Sequence, residues 1–353
     1  MLTPRAGMRV VLRYAADGQP TDALGTVTAA DEASVTVDTR RGEVTVARAD
    51  ILLVHEVPPA PQRPGRLHEI VSPLDLRRIS AQVWLPADIA WLHTDNLHHE
   101  AEGAGAEVPL TQTGVLLRAA GGVSTRGNSA LPLGRTGIPA AEALELIIRW
   151  YEQRGLPPQL QIYSAHGTSE LAEPCAELGP LLRAAGFAPS GATLALTAAT
   201  REVAGPVGRA ADAALPGLEI VESEEAHAVH WTAWGHPVDS PTHEDFARLV
   251  TSPEQHRFYS ALALHPDGSR TLVGTVRLAI TQKWAVVSNL VVDPGVRRRG
   301  AGRALVVAAA AAAAERGVRS LLAEVEADNA ASLGLFGALG AVEHHRYWYA
   351  LRS

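Results

Sequence analysis

The chain has 353 residues, of which 46% are hydrophobic and 20% charged, and its formal net charge is -7 at pH 7. This composition is typical of a globular protein long enough for two or three domains, and the negative charge excludes a general attraction to nucleic acid or to anionic membranes. The single cysteine, Cys175, excludes an internal disulfide and indicates a reducing cytoplasm.

Short β-like runs separated by turn residues fill residues 8–54, among them MRVVLRY, LGTVTA, SVTVDT and EVTVA. Their hairpin spacing predicts a small β-barrel over residues 1–57. Proline is concentrated in the segment that follows, PPAPQRPG, and predicts a stiff linker over residues 58–66. Because the barrel has few aromatic residues and Arg40–Arg41 as its only basic pair, we expect it to contact another protein or to be purely structural.

Strand and helix patterns alternate over residues 67–200. A strand, a glycine-bearing turn and a second strand are predicted within 114–134, and PAAEALELIIRWYEQRG predicts an amphipathic helix over 139–155. The runs LQIYSA and TLALTA predict strands on either side of a further helix. This alternation indicates an α/β domain over residues 67–200, and the breaker-rich stretch after it predicts a second linker, residues 201–216.

The same order of elements returns in the last part of the chain, residues 217–353. A helix and a hairpin around HPDGSR are followed by the strand WAVVSNLVV, a glycine loop, a long helix, the strand SLLAEVEA, another helix and a final strand. The alanine tract in the long helix is too short and too weakly apolar to span a bilayer, and Arg303 and Glu315 bracket it. We therefore expect no membrane partner.

The junction LVVDPGVRRRGAGRAL, residues 290–305, leads from a strand through a glycine loop into this helix. The first N–H groups of a helix are unpaired and lie at the positive end of its dipole, so the junction predicts an anion site. Leu305 and Val306 stand where a dinucleotide-binding fingerprint would show a third glycine after Gly300 and Gly302, and no Gly-Lys-Ser/Thr pattern is present. A tight turn into a surface helix is the alternative interpretation.

The pattern V-D-P-x-x-R-R-R-G-x-G-x-x-L resembles the acetyl-CoA pyrophosphate loop of the GNAT N-acetyltransferases, Q/R-x-x-G-x-G/A, with Arg297, Gly300 and Gly302 at the matching positions. The segment LLAEVEADNAASLGLFGALGA resembles a second motif of the family. The resemblance implies that acetyl-CoA is the co-substrate. It implies that the pyrophosphate lies on Arg298, Arg299, Gly300, Ala301, Gly302 and Arg303, and that the pantetheine arm lies along Leu290, Val291 and Val292. Asn329 and Ser332 would face the thiol end.

The catalytic expectations also come from this resemblance. In the ribosomal-protein N-terminal acetyltransferase branch, the base is a glutamate five residues before the motif Asn, where this chain has Glu324. Glu326 shares its strand face and is the second candidate, and a solvated carboxylate paired with an arginine is the alternative. The family's acid tyrosine is replaced by Phe336, so the thiolate proton would come from water, Tyr347 or Tyr349. A backbone N–H near Leu290 or Val291, splayed by a bulge, would bind the thioester oxygen.

Over nearly its full length the chain resembles actinobacterial GNAT proteins described as N-acetylglutamate synthases. This implies an α/β (α+β) fold, a tandem GNAT with mixed, mostly antiparallel sheets behind an SH3-like barrel, in which residues 67–200 form a degenerate half. L-glutamate would be the acceptor, in the first step of arginine biosynthesis. Arg118 and Arg126 are candidates to bind its carboxylate, and solvated loop arginines are the alternative.

Other functions stay open at this point. A mycothiol-synthase-like enzyme, a protein lysine or N-terminal acetyltransferase, and a regulator that binds acetyl-CoA without turnover are the alternatives. The histidines in LHTDNLHHE and VEHHRYW lack the spacing H-E-x-x-H, and adjacent histidines on a strand point to opposite faces. We therefore expect no metal.

Overall fold

The computed structural model describes residues 3–16, 18–39, 42–57, 66–94, 96–99, 108–109, 111–205 and 217–352. The chain forms two compact units, residues 1–64 and 65–353. Most of the two predicted linkers, residues 58–65 and 206–216, and the Arg40–Arg41 pair lie outside the described residues.

The first unit is an antiparallel sheet in the order β4-β3-β2-β1-β5. Its strands are β1 (Arg9–Ala16), β2 (Gln19–Ala30), β3 (Ser34–Thr39), β4 (Gly42–Ala47) and β5 (Ile51–Glu56). Alternate residues such as Val10, Leu12, Val35 and Val37 are 0% exposed and form the core. The unit is consistent with the predicted small barrel, and β5 adds a strand to the four predicted runs.

The second unit begins with what we call the first half, residues 66–205. Its helices are α1 (Leu67–Ile70), α2 (Pro73–Gln82), α3 (Ala140–Glu152), α4 (Glu173–Ala176), α5 (Gly179–Leu182) and α6 (Thr200–Ala204). Its strands are β6 (Asp88–His93), β7 (Asn96–His99), β8 (Val115–Ala119), β9 (Leu131–Pro132), β10 (Gln159–Tyr163), β11 (Ala188–Pro189) and β12 (Thr193–Ala199). Ser72 caps α2 because its hydroxyl accepts a hydrogen bond from the Asp75 N–H, with Pro73 as the first helical residue.

The second half, residues 217–352, repeats this order. Its helices are α7 (Ala228–Ala233), α8 (His243–Thr251), α9 (Ala301–Glu315) and α10 (Ala330–Ala338). Its strands are β13 (Leu218–Ser223), β14 (Gln255–Leu264), β15 (Arg270–Thr281), β16 (Trp284–Val292), β17 (Ser320–Glu326) and β18 (Val342–Leu351). Strands β14 and β15 pair antiparallel with Leu264 opposite Arg270, which confirms the predicted hairpin.

The two halves exchange their last strands. The largest sheet has the order β10-β18-β12-β17-β16-β15-β14-β13, with β11 also on β18. Strand β12 of the first half therefore lies between β17 and β18, and β18 of the second half lies between β10 and β12. A second sheet, β7-β6-β8-β9, adjoins the large one through a bridge between Ala130 and Leu160. The α/β fold with mainly antiparallel pairing confirms the predicted fold class.

The crossover of the second half leads from β16 through α9 to β17. These two strands are parallel and pair only from Trp284–Val287 to Ser320–Ala323. The alanines of α9 that face the sheet, among them Ala309, Ala310 and Ala313, are 0% exposed, so the helix lies close to the strands. In the described part of the chain no helix is long and apolar enough to cross a membrane.

Candidate functional site

A bulge opens the sheet at the end of β16. The pairing register with β15 shifts between Thr275 and Arg277, and Asn289 has a left-handed φ of 54°. Trp234 holds the bulge, since its indole Nε1 donates to the Asn289 carbonyl at 2.9 Å and to the Thr275 hydroxyl at 3.0 Å. Because β16 and β17 pair only as far as Val287, the backbone of residues 288–292 is not paired with β17. A wedge between two parallel strands results.

The loop after the wedge, residues 293–300, turns its backbone towards the start of α9. Asp293 closes a short turn by accepting the Gly295 N–H at 2.7 Å. Arg298 and Gly300 have left-handed φ angles of 65° and 92°, and α9 begins at Ala301. Left-handed backbone is strained for an arginine, whereas glycine adopts it freely. The loop thus places the unpaired N–H groups of the first turn of α9 close together.

Arginines surround this helix start. Arg297 Nε donates to the Val292 carbonyl at 3.2 Å. Arg298, Arg299 and Arg303 are exposed, and none of them forms an ion pair within the described residues. Gly302 lies 3.4 Å, measured from an added Cβ, from a methyl group of Val292. The positive charges, the helix dipole and the close backbone suit a pyrophosphate group.

The residues predicted near the thiol end lie at the start of α10. Asn329 caps this helix, because its side-chain oxygen accepts a hydrogen bond from the Ser332 N–H at 3.1 Å. Phe336 is 3% exposed and packs in the core with α9 and the sheet. The position that the family gives to an acidic tyrosine therefore belongs to the apolar core here.

Glu324 lies on β17 between two arginines of the first half. Its Oε1 is 2.6 Å from Arg77 Nη1 and its Oε2 is 3.2 Å from Arg126 Nε. The Ser80 hydroxyl donates to Oε2 at 2.9 Å. The Arg77 contact is an ion pair between two buried side chains. Only 4% of the Glu324 side chain is exposed.

These neighbours set the charge of Glu324. Burial raises the pKa of its carboxyl, but the charges of Arg77 and Arg126 and the hydrogen bond from Ser80 outweigh burial, so the pKa lies below its usual range. Glu324 is therefore a carboxylate at neutral pH, and both its oxygens are engaged. Glu326, two residues further along β17, is exposed.

Arg126 and Arg118 differ in their contacts. Arg126 Nε also donates to the Tyr347 hydroxyl at 3.1 Å, so it joins β17 and β18 from the loop between β8 and β9. Tyr347 is 0% exposed, and burial raises the pKa of its hydroxyl. Arg118 is 2% exposed and donates to the carbonyl and hydroxyl oxygens of Ser129. Of the two, Arg126 is the one that contacts a carboxylate.

Four further residues belong to the site: two of α2, Trp84 just after the end of α2, and one of β15. Arg77, Ser80 and Trp84 follow each other at helical spacing and face β17 and β15. Arg277 is 0% exposed, donates to the Val83 carbonyl at 2.9 Å and lies 4.8 Å from the Trp84 ring. Burial lowers the pKa of Arg277 to about 9. A lone arginine in the apolar run TLVGTVRLAI was the signal that could have revealed it.

The corresponding loop of the first half, between β9 and α3, lies beside two carboxylates from α4 and the residue after it. Arg135 there pairs with Glu173 at 3.5 Å and with Glu177 at 2.8 Å. The two carboxylates would repel a pyrophosphate at this helix start. The arginine-rich loop of the second half is the better anion site.

The expectation that His344 and His345 point to opposite faces is wrong. Their Nδ1 atoms are 2.9 Å apart, because the pairing of β12 with β18 shifts register at Ala195 and Leu196 and a bulge turns both rings to one side. His344 Nε2 contacts the Val71 carbonyl at 2.8 Å. Among the described residues, no group of three or more His, Cys, Asp or Glu side chains could hold a metal ion.

Two parts of the chain match models of known protein families. Residues 223–341 match the model of the acetyltransferase (GNAT) family, and residues 103–168 match a model described as "Probable histone acetyltransferase Rv0428c C-terminal". The fold and these matches define the protein as an acyltransferase. The matched residues 223–341 contain the wedge, the arginine loop and Glu324, and this part of the chain is similar to the GNAT acetyltransferases, which use acetyl-CoA. No curated protein matches the sequence.

Solved structures with a similar fold include a GCN5-related N-acetyltransferase from Kribbella flavida, at 14% identity and a TM-score of 0.49, over 79% of this chain and 95% of that one. A tandem GNAT protein from the clavulanic acid biosynthesis pathway is 18% identical with a TM-score of 0.45, over 60% and 68% of the two chains. A functionally unknown conserved protein from Staphylococcus epidermidis is 13% identical with a TM-score of 0.44, over 65% and 86%.

Proposed function

We propose that this protein transfers the acetyl group of acetyl-CoA to the amine of a small anionic acceptor, with L-glutamate as the first candidate. The observation that carries the proposal is the wedge between β16 and β17 beside the arginine loop. The pyrophosphate would lie on the backbone of residues 298–303, and the pantetheine arm would pair with residues 290–292 in place of a strand.

The residues around the wedge supply the remaining chemistry. The thioester carbonyl of bound acetyl-CoA would lie at the bulge. A backbone N–H of Leu290 or Val291, next to the left-handed Asn289, would donate to the thioester oxygen as negative charge develops there. Glu324 would take a proton from the ammonium group. Tyr347 is the proposed proton donor to the thiolate.

The charges around Glu324 favour an anionic acceptor. Arg77 and Arg118 are at most 2% exposed and Arg126 is partly exposed, whereas Glu324 is the one carboxylate that pairs with any of these three within the described residues. Buried charges are costly unless they are paired, so the cluster is suited to a further negative group. A carboxylate of glutamate meets this requirement, since guanidinium binds carboxylates in a two-point geometry.

A protein amine is the second candidate, because residues 103–168 match the model described as a probable histone acetyltransferase. Histone tails are rich in lysine, and an excess of buried arginines near the base disfavours a basic peptide. The two candidate acceptors therefore differ in charge, since glutamate is anionic and a histone tail is basic.

Thiol release from acetyl-CoA tests the proposal. Purified protein would be given L-glutamate, other amino acids, a glucosaminyl-cysteine amine and lysine peptides in parallel. Thiol release that depends on glutamate supports glutamate as the acceptor. Release with lysine peptides alone would instead identify a protein acetyltransferase. Acetyl-CoA binding without release by any amine would indicate a regulator. Gly302→Asp is the control, because a carboxylate at the helix start should abolish binding of the co-substrate.

A further inference from the structure

The two arginines that hold Glu324 differ in their access to solvent. The Arg77 side chain is 0% exposed, and its guanidinium lies 4.4 Å from the centre of the Tyr347 ring. The Arg126 side chain is 28% exposed. A molecule that arrives from solvent therefore reaches Arg126 and not Arg77.

Arg126 also has unused donors. It contacts both Glu324 and Tyr347 through Nε. Within the described residues neither of its Nη groups has a hydrogen-bond partner, and its guanidinium carbon lies 5.7 Å from the centre of the Trp84 ring. A guanidinium that binds a carboxylate at two points uses an Nη group together with Nε or the second Nη. A ligand carboxylate can therefore bind Arg126 more completely than Glu324 does.

Hydrogen bonds and packing hold the loop that carries Arg126. Asn128 accepts hydrogen bonds from the N–H groups of Ala120 and Gly122 at 2.8 and 3.1 Å, and its amide donates to the Ser124 carbonyl at 2.8 Å. An added Cβ on Gly127 would lie 2.9 Å from a methyl group of Leu249, so α8 supports the turn. The backbone thus fixes the place of Arg126, and its side chain can change partner without movement of the loop.

We propose that the carboxylate of the acceptor displaces Glu324 from Arg126, and that this exchange leaves Glu324 Oε2 with the Ser80 hydroxyl alone, so that Oε2 can act as the base. This inference rests on the proposed function and adds a condition to it, because the base becomes available only when an anionic amine is bound. With an uncharged amine, Glu324 Oε2 keeps its contact with Arg126 as well as its hydrogen bond from Ser80.

The charged and titratable groups around Glu324 agree with this exchange. They come from α2, β8, the loop after it, and β18, and are Arg77, Arg118, Arg126, Tyr347 and Tyr349. After the exchange Glu324 keeps Arg77 and the hydroxyl of Ser80 but loses the charge-assisted contact to Oε2. Burial then acts against fewer opposing groups, so the pKa of Glu324 rises towards the range of a useful base.

The proposed step balances in protons and electrons. The ammonium group of the acceptor gives one proton to Glu324 Oε2, and the freed nitrogen lone pair attacks the thioester carbon. The C–S bond breaks, an amide bond forms, and the second proton lost by the nitrogen ends on the sulfur, by way of Tyr347 or water. Glu324 then returns its proton to water when the product leaves.

A binding experiment tests the exchange without turnover. The probe is glutarate, a dicarboxylate that has no amine, added to the full-length protein with ¹³C-labelled glutamate carboxyl groups. We expect glutarate to raise the pKa of Glu324, read by NMR, by about one pH unit. The NMR signal of Glu324 is the one that is absent from the spectrum of Glu324→Gln. Arg126→Gln should remove the response, Arg126→Lys should keep part of it, and Arg135→Gln, an exposed arginine paired with Glu177, should leave it intact.

A turnover experiment tests the condition on the acceptor. The rate of thiol release is compared for glutamate and for an uncharged amine of similar size. We expect the unmodified protein to favour glutamate by tenfold or more in kcat/KM, and Arg126→Gln to bring this ratio close to one. A ratio that is unchanged in Arg126→Gln, or an NMR titration that glutarate does not move, overturns the exchange.

The two experiments also separate this inference from the proposed function. If no amine supports thiol release but glutarate raises the pKa of Glu324 in an Arg126-dependent way, the anion exchange stands and the acetyl transfer fails. If glutamate is acetylated but neither readout depends on Arg126, the transfer stands and the exchange fails.

Discussion

Glu324→Gln should destabilise the protein strongly, because glutamine keeps the shape of the side chain but removes its charge. Arg77 would then be a fully buried cation without a carboxylate, and Arg126 would lose the same partner. Breaking a buried ion pair from one side costs about 3–5 kcal/mol. The Arg126 side chain is 28% exposed, and water can replace part of its contact, so we expect about 3 kcal/mol.

Urea denaturation at pH 7 measures this loss. Glu326→Gln is the matched control, since it makes the same substitution two residues away on the same face of β17, at an exposed position. We expect this control to lie within about 0.5 kcal/mol of the unmodified protein. A Glu324→Gln variant as stable as Glu326→Gln would refute the ion-pair account of the site.

The pH dependence supplies a second test of the same reasoning. The pKa of Glu324 is lowered in the folded protein, so its contribution to stability is present above the unfolded value of about 4.3 and is lost as the pH falls through the folded value. The stability difference between the unmodified protein and Glu324→Gln should hold from pH 5 to 8 and narrow below about pH 4. A difference that widens in acid would contradict the assigned direction.

Three further variants address other parts of the molecule. Gly302→Asp should weaken acetyl-CoA binding at least tenfold in calorimetry, while Gly334→Asp, at a glycine with open space around its Cα, should not. Trp234→Phe removes the donor to the Asn289 carbonyl and should raise the KM for acetyl-CoA several-fold, at a cost of about 1 kcal/mol in urea denaturation. Burial lowers the pKa of His344 to about 4, so the protein should lose stability between pH 6.5 and 4, and His344→Asn should flatten this loss.

The anion site could be predicted from the sequence because its parts are consecutive. The strand end, the arginines, Gly300 and the start of α9 all lie within residues 290–303, and the chemistry of a helix N-terminus depends on local backbone. The predicted bulge is also present, and the structure adds its position at Asn289 and its anchor on Trp234.

The surroundings of Glu324 could not be predicted in the same way. Arg77 and Ser80 lie on α2, and only the packing of α2 on the large sheet brings them to β17. A spacing of three residues places two side chains on one helix face, but it does not say that this face is turned to the carboxylate. A residue pattern predicts which side chains share a face, whereas the packing of the elements decides what that face contacts.

The error at His344 and His345 has a related cause. The rule that neighbouring side chains alternate holds for a regular strand, and one extra residue in the pairing with β12 cancels it. Such a bulge depends on the partner strand, so the sequence VEHHRYW alone gives no sign of it.

The exchange of β12 and β18 leads to a prediction about the chain as a whole. All seven residues of β12 pair with β17, and β12 also pairs with β18. If a protease site is inserted within residues 206–216, which lie outside the described residues, cleavage should leave the two fragments bound to each other. They should elute as one species, bind acetyl-CoA as before, and separate only in denaturant.

A variant of the cleaved protein tests whether the exchanged strand is the cause. Ala195 lies in the middle of β12, between Glu324 and His345 of the neighbouring strands. Proline there removes a backbone donor from a strand paired on both sides, so Ala195→Pro should weaken the association of the fragments. Fragments that elute separately and remain folded without this substitution would mean that each half keeps its own last strand. In that case Glu324 would lie in a different molecule from Arg77 and Arg126, and the ion pairs between the halves would be lost.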